Sequence, residues 1–470
     1  KEEAAGALHL LAVNRSNQLA IAIGLVALLG TGSEDSQEHV TAMLERFVED
    51  RENCVAISEA GAIERLVIQL ESDSMALHER TTAVLTALVE DSNDHVDSLV
   101  LHGGISPLVR LLDSASQVAM ERASRIFAAM ARSSHGTQAQ VATAQAIASL
   151  VNLVANAELR LPVRSEAAGA LWWMSNGNAE KQAAIVTAGA LVPLVQLLQT
   201  NSADAQRLAA GALASLAVGS NETRTSIATA GGITPLVSLL NADASRHEVH
   251  AAAAWALAEV SRDHPENQSA VAAAGSVEPL IALLIDADEM EAAKEAAATA
   301  LWSLSTSHRA NQDAIAASGG VEPLVKLIGI GSASAQVQAA GSLSAIALDN
   351  PSNESAISTL VVELLRGGDN EASTKAARAI SSLARACATN QVALARAGAI
   401  APIVSLLKAE SEMPAPSAML QREMAAALWS MAQDDPDNQM SIADEGAIPS
   451  LVSLLSEKRG KGRASGEGTP

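Results

Sequence analysis

The chain has 470 residues, 49% of them hydrophobic, and a formal net charge of -22 at pH 7. That acidity argues against a nucleic-acid binder, because phosphate-backbone affinity depends on cationic side chains displacing counterions. Two distant cysteines, Cys54 and Cys387, argue against a disulfide framework, and no apolar run is long enough to cross a bilayer.

One short pattern recurs along the chain, as Ala-Gly-Ala-Leu-Val-Pro-Leu-Val-Gln-Leu-Leu at 188–198 and Ala-Gly-Gly-Ile-Thr-Pro-Leu-Val-Ser-Leu-Leu at 230–240. Aligning the apolar residue after its proline gives Leu25, Leu66, Leu108, Leu150, Leu194, Leu236, Leu280, Leu324, Val361, Ile403 and Leu451. A period near 42 is too long for tetratricopeptide or ankyrin units and fits three helices per repeat.

In chain order, residues 1–16 read as the third helix of an incomplete repeat. Its apolar face, with Leu8 and Leu11, has no preceding repeat to cover it, so the amino end is expected to be capped by a larger chain or assembly. About ten full repeats follow over 17–437. A short first helix opens each, and Asn53, Asn267, Asn311, Asn390 and Asn438, eight residues before the next glycine, are expected to cap it. Gly then Pro four residues later, as at Gly189 and Pro193, predicts a tight corner into the second helix.

Three corners depart from this pattern and are still expected to form. Arg65 replaces Pro in the second repeat, Gln145 and Ser149 replace Gly and Pro in the fourth, and Pro449 stands one place early in the last. The third helix is Ala-rich, as at 209–217, with leucines three apart on one buried stripe. Between Asn353 and Val361 the ninth repeat lacks five residues found between Asn311 and Leu324, and the first repeat shares that deletion, so the stacking is expected to change there. The longest irregular stretch, Ala409–Ser417, reads as a loop of the tenth repeat. Residues 438–457 form an incomplete last repeat. Residues 458–470 are a basic, Gly-rich tail with Lys458, Arg459, Lys461 and Arg463, expected to be disordered.

No catalytic, cofactor or metal site emerges. There is no Walker loop, and Gly329-Ile330-Gly331 lacks the third glycine and the strand of a dinucleotide fingerprint. His247 and His250 share a helix face but not zincin spacing, and read as solvated or packing residues.

The corner followed by an Ala-rich third helix, in register over residues 1–457, resembles the armadillo repeat. The resemblance implies an all-α fold, a right-handed α-solenoid whose third helices line a concave groove. Import adaptors of the importin-α type place Trp and then Asn, four residues apart, on those helices to hold a peptide main chain. The Trp column here reads Gly6, Ala42, Ala83, Arg125, Gly169, Gly211, Trp255, Thr299, Gly341, Arg378 and Ala426. The Asn column contains Arg46, Trp173 and Glu259 and no Asn, so the main-chain ladder of those adaptors is missing. A further column, three residues after the first, holds Trp172, Trp302 and Trp429, as in repeats of the β-catenin type.

The expected partner-binding groove therefore comprises Arg46, Arg125, Trp172, Trp173, Trp255, Glu259, Trp302, Arg378 and Trp429. Trp172 and Trp173, adjacent on one helix, are expected to face different ways. The function implied is a non-catalytic scaffold, cytoplasmic or nuclear, binding an extended peptide or helix of a protein partner, with neither nucleic acid nor membrane insertion. A nuclear-transport receptor and a substrate-recruiting fragment of a ubiquitin ligase are the alternatives.

Overall fold

The computed structural model describes residues 7–8, 10–11, 14–241, 246–286, 289–367, 370–386, 388–408 and 418–456. Cys387, the 409–417 loop, the 458–470 tail and most of residues 1–13 lie outside them, and the expectations attached to those segments go with them. The described residues are helical with no strand. They divide into two compact units, Lys1–Val260 and Ser261–Pro470.

Each unit is a stack of triplets of the predicted kind. In the first unit the third helices are Glu34–Phe47, Met75–Asp91, Gln117–Ser133, Leu161–Ser175, Ala203–Ala217 and His247–Ser261, the last ending one residue past the division. In the second they are Glu291–Ser305, Ala333–Ala347, Asn370–Ala386 and Ala418–Ala432. The residue that defines the sequence period sits in the core: Leu66, Leu108, Leu150, Leu194 and Leu236 in the first unit, and Leu280, Leu324, Val361 and Ile403 in the second, are all fully buried. Truncating any of these leucines removes an anchor of its repeat, a change that typically costs about 2–5 kcal/mol in packed cores.

Gly189 shows how the corner works. Its φ is +87°, a left-handed conformation that ends Ala179–Thr187 and redirects the chain into Leu191–Leu198 with a bend of 85°. Corners at Pro265–Ala273/Val277–Ile285 and Ala388–Arg396/Ile400–Lys408 bend by 75° and 72°. All three deviant corners form, each with its own chemistry. In the second repeat, Arg65 donates from one guanidinium nitrogen to the carbonyls of Val26, Ala27 and Leu29, at the end of Arg15–Leu28 in the first repeat. In the fourth, Ala142 turns the chain and Thr143 caps the next helix by accepting from the Ala146 amide. In the last, Gly446 keeps a φ of +76°.

The recurring asparagines are not the caps. Asp50, His264, His308 and Asp435 are, each accepting a backbone N–H from the first turn, while the Asn three residues on is already inside the helix. Its amide reaches back instead. Asn311, Asn353, Asn390 and Asn438 donate to carbonyls seven residues earlier, Leu304, Ile346, Leu383 and Met431, at the end of the preceding third helix, and Asn53 donates to that of Phe47, six earlier, which also accepts the Asp50 amide. A neighbouring Gln ties the same first helix forward to the third helix of its own repeat. Gln268, beside Asn267, donates to the carbonyls of Ser303 and Thr306, and Gln312, beside Asn311, to those of Ala345 and Leu348. This buried Asn–Gln pair bridges consecutive third-helix ends and fixes the stacking.

The deletion in the ninth repeat removes the corner altogether. Pro351–Gly367 is one continuous helix where other repeats have two, and Arg15–Leu28 does the same in the first repeat. With the glycine and more than one helical turn gone, nothing breaks the hydrogen-bond ladder between them.

Before the caps, the chain takes a left-handed residue that is not always glycine: Asp263, Ser307, Asp349 and Asp434 have φ between 50° and 58°. A left-handed L-residue costs about 1–2 kcal/mol, against about 0.4–1 kcal/mol for the extra unfolded-state freedom of glycine. Ser307→Gly is therefore expected to stabilise the protein by about 0.5 kcal/mol in urea denaturation, net of those two effects.

Cys54 is buried, and its thiol donates to the Val48 carbonyl. Burial, reinforced by the nearby Asp91 and Asp50, pushes its pKa from 9.0 to about 11. The folded protein thus holds the proton more tightly than the unfolded chain. That contribution is fully present below pH 9 and is lost as pH rises through about 11. Thiol-reactive probes at pH 8 are expected to label Cys54 only after denaturant is added, since the thiolate is the nucleophile.

Candidate functional site

The third-helix face of the first unit begins as a lattice of ion pairs. Arg80 bridges Glu38 and Glu45, and Arg122 reaches Glu45 across two repeats while donating to the Glu79 carbonyl. Arg125 spans to Glu166 of the following third helix at 2.5 Å, with Glu121 of its own helix at 3.9 Å. The hydrogen bond to Glu166 raises the guanidinium pKa further above its usual range. Arg125 is therefore a strut between repeats. Arg46 lies exposed on Glu34–Phe47.

Beyond these struts the face becomes aromatic. Trp172 and Trp173, one residue apart on Leu161–Ser175, do not diverge: their rings stack with centroids 5.2 Å apart and planes inclined by 16°. The Cα–Cβ bonds still differ by about 100° around the helix, and the side-chain torsions bring the rings back together. Trp172 can turn this way because the next third helix offers it Gly211. A Cβ at Gly211 would stand 2.7 Å from the indole, so only glycine leaves the ring its place. Lying over that glycine, Trp172 reaches Trp255 on His247–Ser261 at 6.1 Å. On the other side, the guanidinium of Arg132 sits over Trp173 at 5.7 Å, within cation–π range.

Four consecutive third helices are thus joined by a row running Arg132, Trp173, Trp172, Gly211 and Trp255, with all three indoles half-buried. Glu259, one turn beyond Trp255, is buried. His247 and His250 meet edge-on at 6.5 Å on the same helix.

The second unit repeats part of this design. Trp302 lies over Gly341 of the next third helix, where a Cβ would come within 2.6 Å of the ring. Beside it is a cavity of about 740 Å³, with Arg378, Arg385 and Glu423 on its far wall. Arg378 pairs with Glu423 at 3.3 Å, both side chains largely buried. Trp429 stands 68% exposed on Ala418–Ala432.

Arg132 and Arg385 stand outside the groove columns read from the sequence. Both lie seven residues after a groove arginine, Arg125 and Arg378, and that spacing returns to the same helix face two turns on. The two glycines were visible as members of a column, but which side chain covers them depends on the neighbouring repeat.

The armadillo/beta-catenin-like repeat profile matches residues 178–218, which run from the cap of one first helix through the third helix that carries Gly211. An engineered protein solved by the Northeast Structural Genomics Consortium is 30% identical, with a TM-score of 0.69 over 87% of this chain and 98% of its own. The chain belongs to the armadillo-repeat family. A designed armadillo repeat protein in complex with the peptide (KR)4 is 31% identical over 52% of this chain and 99% of its own, with a TM-score of 0.46. Another designed armadillo repeat protein is 27% identical over 51% and 99%, with a TM-score of 0.47. No curated protein matches. Among the described residues of this armadillo solenoid, no single helix is long and apolar enough to cross a membrane.

Proposed function

We propose that this armadillo protein is a non-catalytic scaffold of the cytoplasm or nucleus that binds an extended segment or helix of a partner protein along its third helices. The observation that carries the proposal is the connected row of Trp172, Trp173 and Trp255. Half-buried indoles placed side by side across successive repeats present a large apolar surface with negative π faces, and Trp dominates interface hot spots. A partner segment rich in Lys or Arg fits best. Its cations meet the indole faces, and the net charge of -22 draws it in. Arg125 is engaged with Glu166 and contributes mainly to holding the face together.

The chain has no Tyr, and all five Trp lie on third helices, so tryptophan emission reports on the third-helix faces of the two units. Titration with an alternating Lys-Arg octapeptide is expected to change that emission saturably, and more strongly at low salt. Trp173→Ala and Trp255→Ala should each weaken binding by about tenfold or more, and Arg125→Ala by much less. Equal losses for all three variants, or binding that survives both Trp substitutions, would sink the proposal.

A further inference from the structure

One difference between the third-helix faces of the two units lies beside the tryptophan that covers a glycine. In the first unit Trp172 lies over Gly211, and the residue two repeats on in the first groove column, Trp255, completes an aromatic pair with it at 6.1 Å. In the second unit Trp302 lies over Gly341 in the same way. Two repeats on, however, that column holds Arg378, which turns to Glu423. Where the first unit has an indole, the second has the cavity of about 740 Å³, lined by Trp302, Val337, Gly341, Leu348, Arg378 and Arg385 among others. That volume falls in the range of pockets that seat ligand groups, about 300–1,000 Å³.

We propose that this cavity receives an aromatic side chain of the partner segment, seated against Trp302 as Trp255 is seated against Trp172, with an acidic residue beside it meeting Arg385. The apolar wall comes from Trp302, Val337 and Leu348, and aromatic pairs at 4.5–7 Å gain energy beyond their buried area. Arg385 spends one N–H, from Nε, on the Ser381 carbonyl, and its exposed guanidinium keeps its terminal N–H groups for a carboxylate. The inference rests on the scaffold reading and names the anchor that the second unit selects.

The test uses the full chain and the peptide acetyl-Gly-Ala-Trp-Glu-Gly-amide, with its Trp→Ala counterpart, in calorimetric titration. The Trp peptide is expected to bind about tenfold or more tightly than the Ala peptide. Arg378→Trp supplies from the protein the indole that the first unit already has, and should abolish that preference. Because this change leaves Glu423 without its partner in a largely buried place, Leu348→Trp fills the cavity from the other wall as a second variant. Thermal melting checks that each is folded. No preference for Trp over Ala, or a preference retained in a folded filled variant, would overturn the proposal. The Lys-Arg octapeptide is titrated in parallel. Its retention by the filled variants, together with loss of the Trp peptide, assigns the Trp peptide to this cavity. Failure of the octapeptide alone counts against the first-unit site and leaves the cavity supported.

Discussion

Gln312→Leu is expected to lower the unfolding free energy by about 3 kcal/mol, counting about 1 kcal/mol for each of three buried hydrogen bonds. The two N–H groups of the Gln312 amide are shared among the carbonyls of Ser305, Ala345 and Leu348, and its oxygen accepts the third bond from Asn350. These carbonyls lie at the ends of two consecutive third helices; that of Ser305 also accepts the His308 amide, whereas those of Ala345 and Leu348 rely on Gln312. Leucine occupies similar space but strands the carbonyls of Ala345 and Leu348 and removes the oxygen that accepts from Asn350. In a repeat array stability is close to a sum over neighbours, so the loss should be local, confined to the repeats on either side of Gln312. Urea denaturation followed by helical circular dichroism measures the total, and amide hydrogen exchange locates it. A loss below about 1 kcal/mol would mean that water takes over the stranded carbonyls, and would remove the Asn–Gln pair as the device that fixes the stacking.

The second large effect separates two glycines that look identical in sequence. Gly211→Ala is expected to cost about 2 kcal/mol, and Gly341→Ala less than half of that, within the usual range for overpacking. In both places the added methyl would press on a tryptophan ring at under 3 Å. Trp172 has nowhere to go, because Trp173 and Trp255 stand 5.2 and 6.1 Å away. Trp302 borders a cavity of about 740 Å³ and can swing into it. Gly211→Ala should also disturb the coupled indole signals in near-ultraviolet circular dichroism and weaken octapeptide binding. Gly341→Ala should leave the octapeptide untouched. Equal stability costs at the two positions would show that the cavity gives Trp302 no freedom, and would weaken the comparison on which the aromatic-anchor proposal stands.

The architecture was legible in the sequence because it follows from local chemistry repeated at a fixed period. Glycine at 189 and proline at 193 make the same corner wherever they recur, and the apolar residue after the proline is buried in every full repeat because periodicity alone puts it on the inner face. The missing residues before Val361 were also visible, although their effect, the fusion into Pro351–Gly367, needed the backbone to show that no breaker remained. The asparagines misled for a related reason. Sequence places a polar residue near a helix start, but whether its side chain bonds its own first turn or a carbonyl six or seven residues back depends on how the preceding helix arrives.

The column positions of the tryptophans were equally readable, and their partners were not. Stacking between Trp172 and Trp173, the reach across Gly211 to Trp255, and the engagement of Arg125 by Glu166 are contacts between residues one or two repeats apart or between rotamers of neighbours. Composition and helical period say nothing about either. Repetition decides the fold because each repeat obeys the same short-range rules. The binding face is decided by tertiary structure, because there each side chain is set by whatever the next repeat happens to leave open: glycine under Trp172, an indole beside it in one unit, and empty space beside Trp302 in the other.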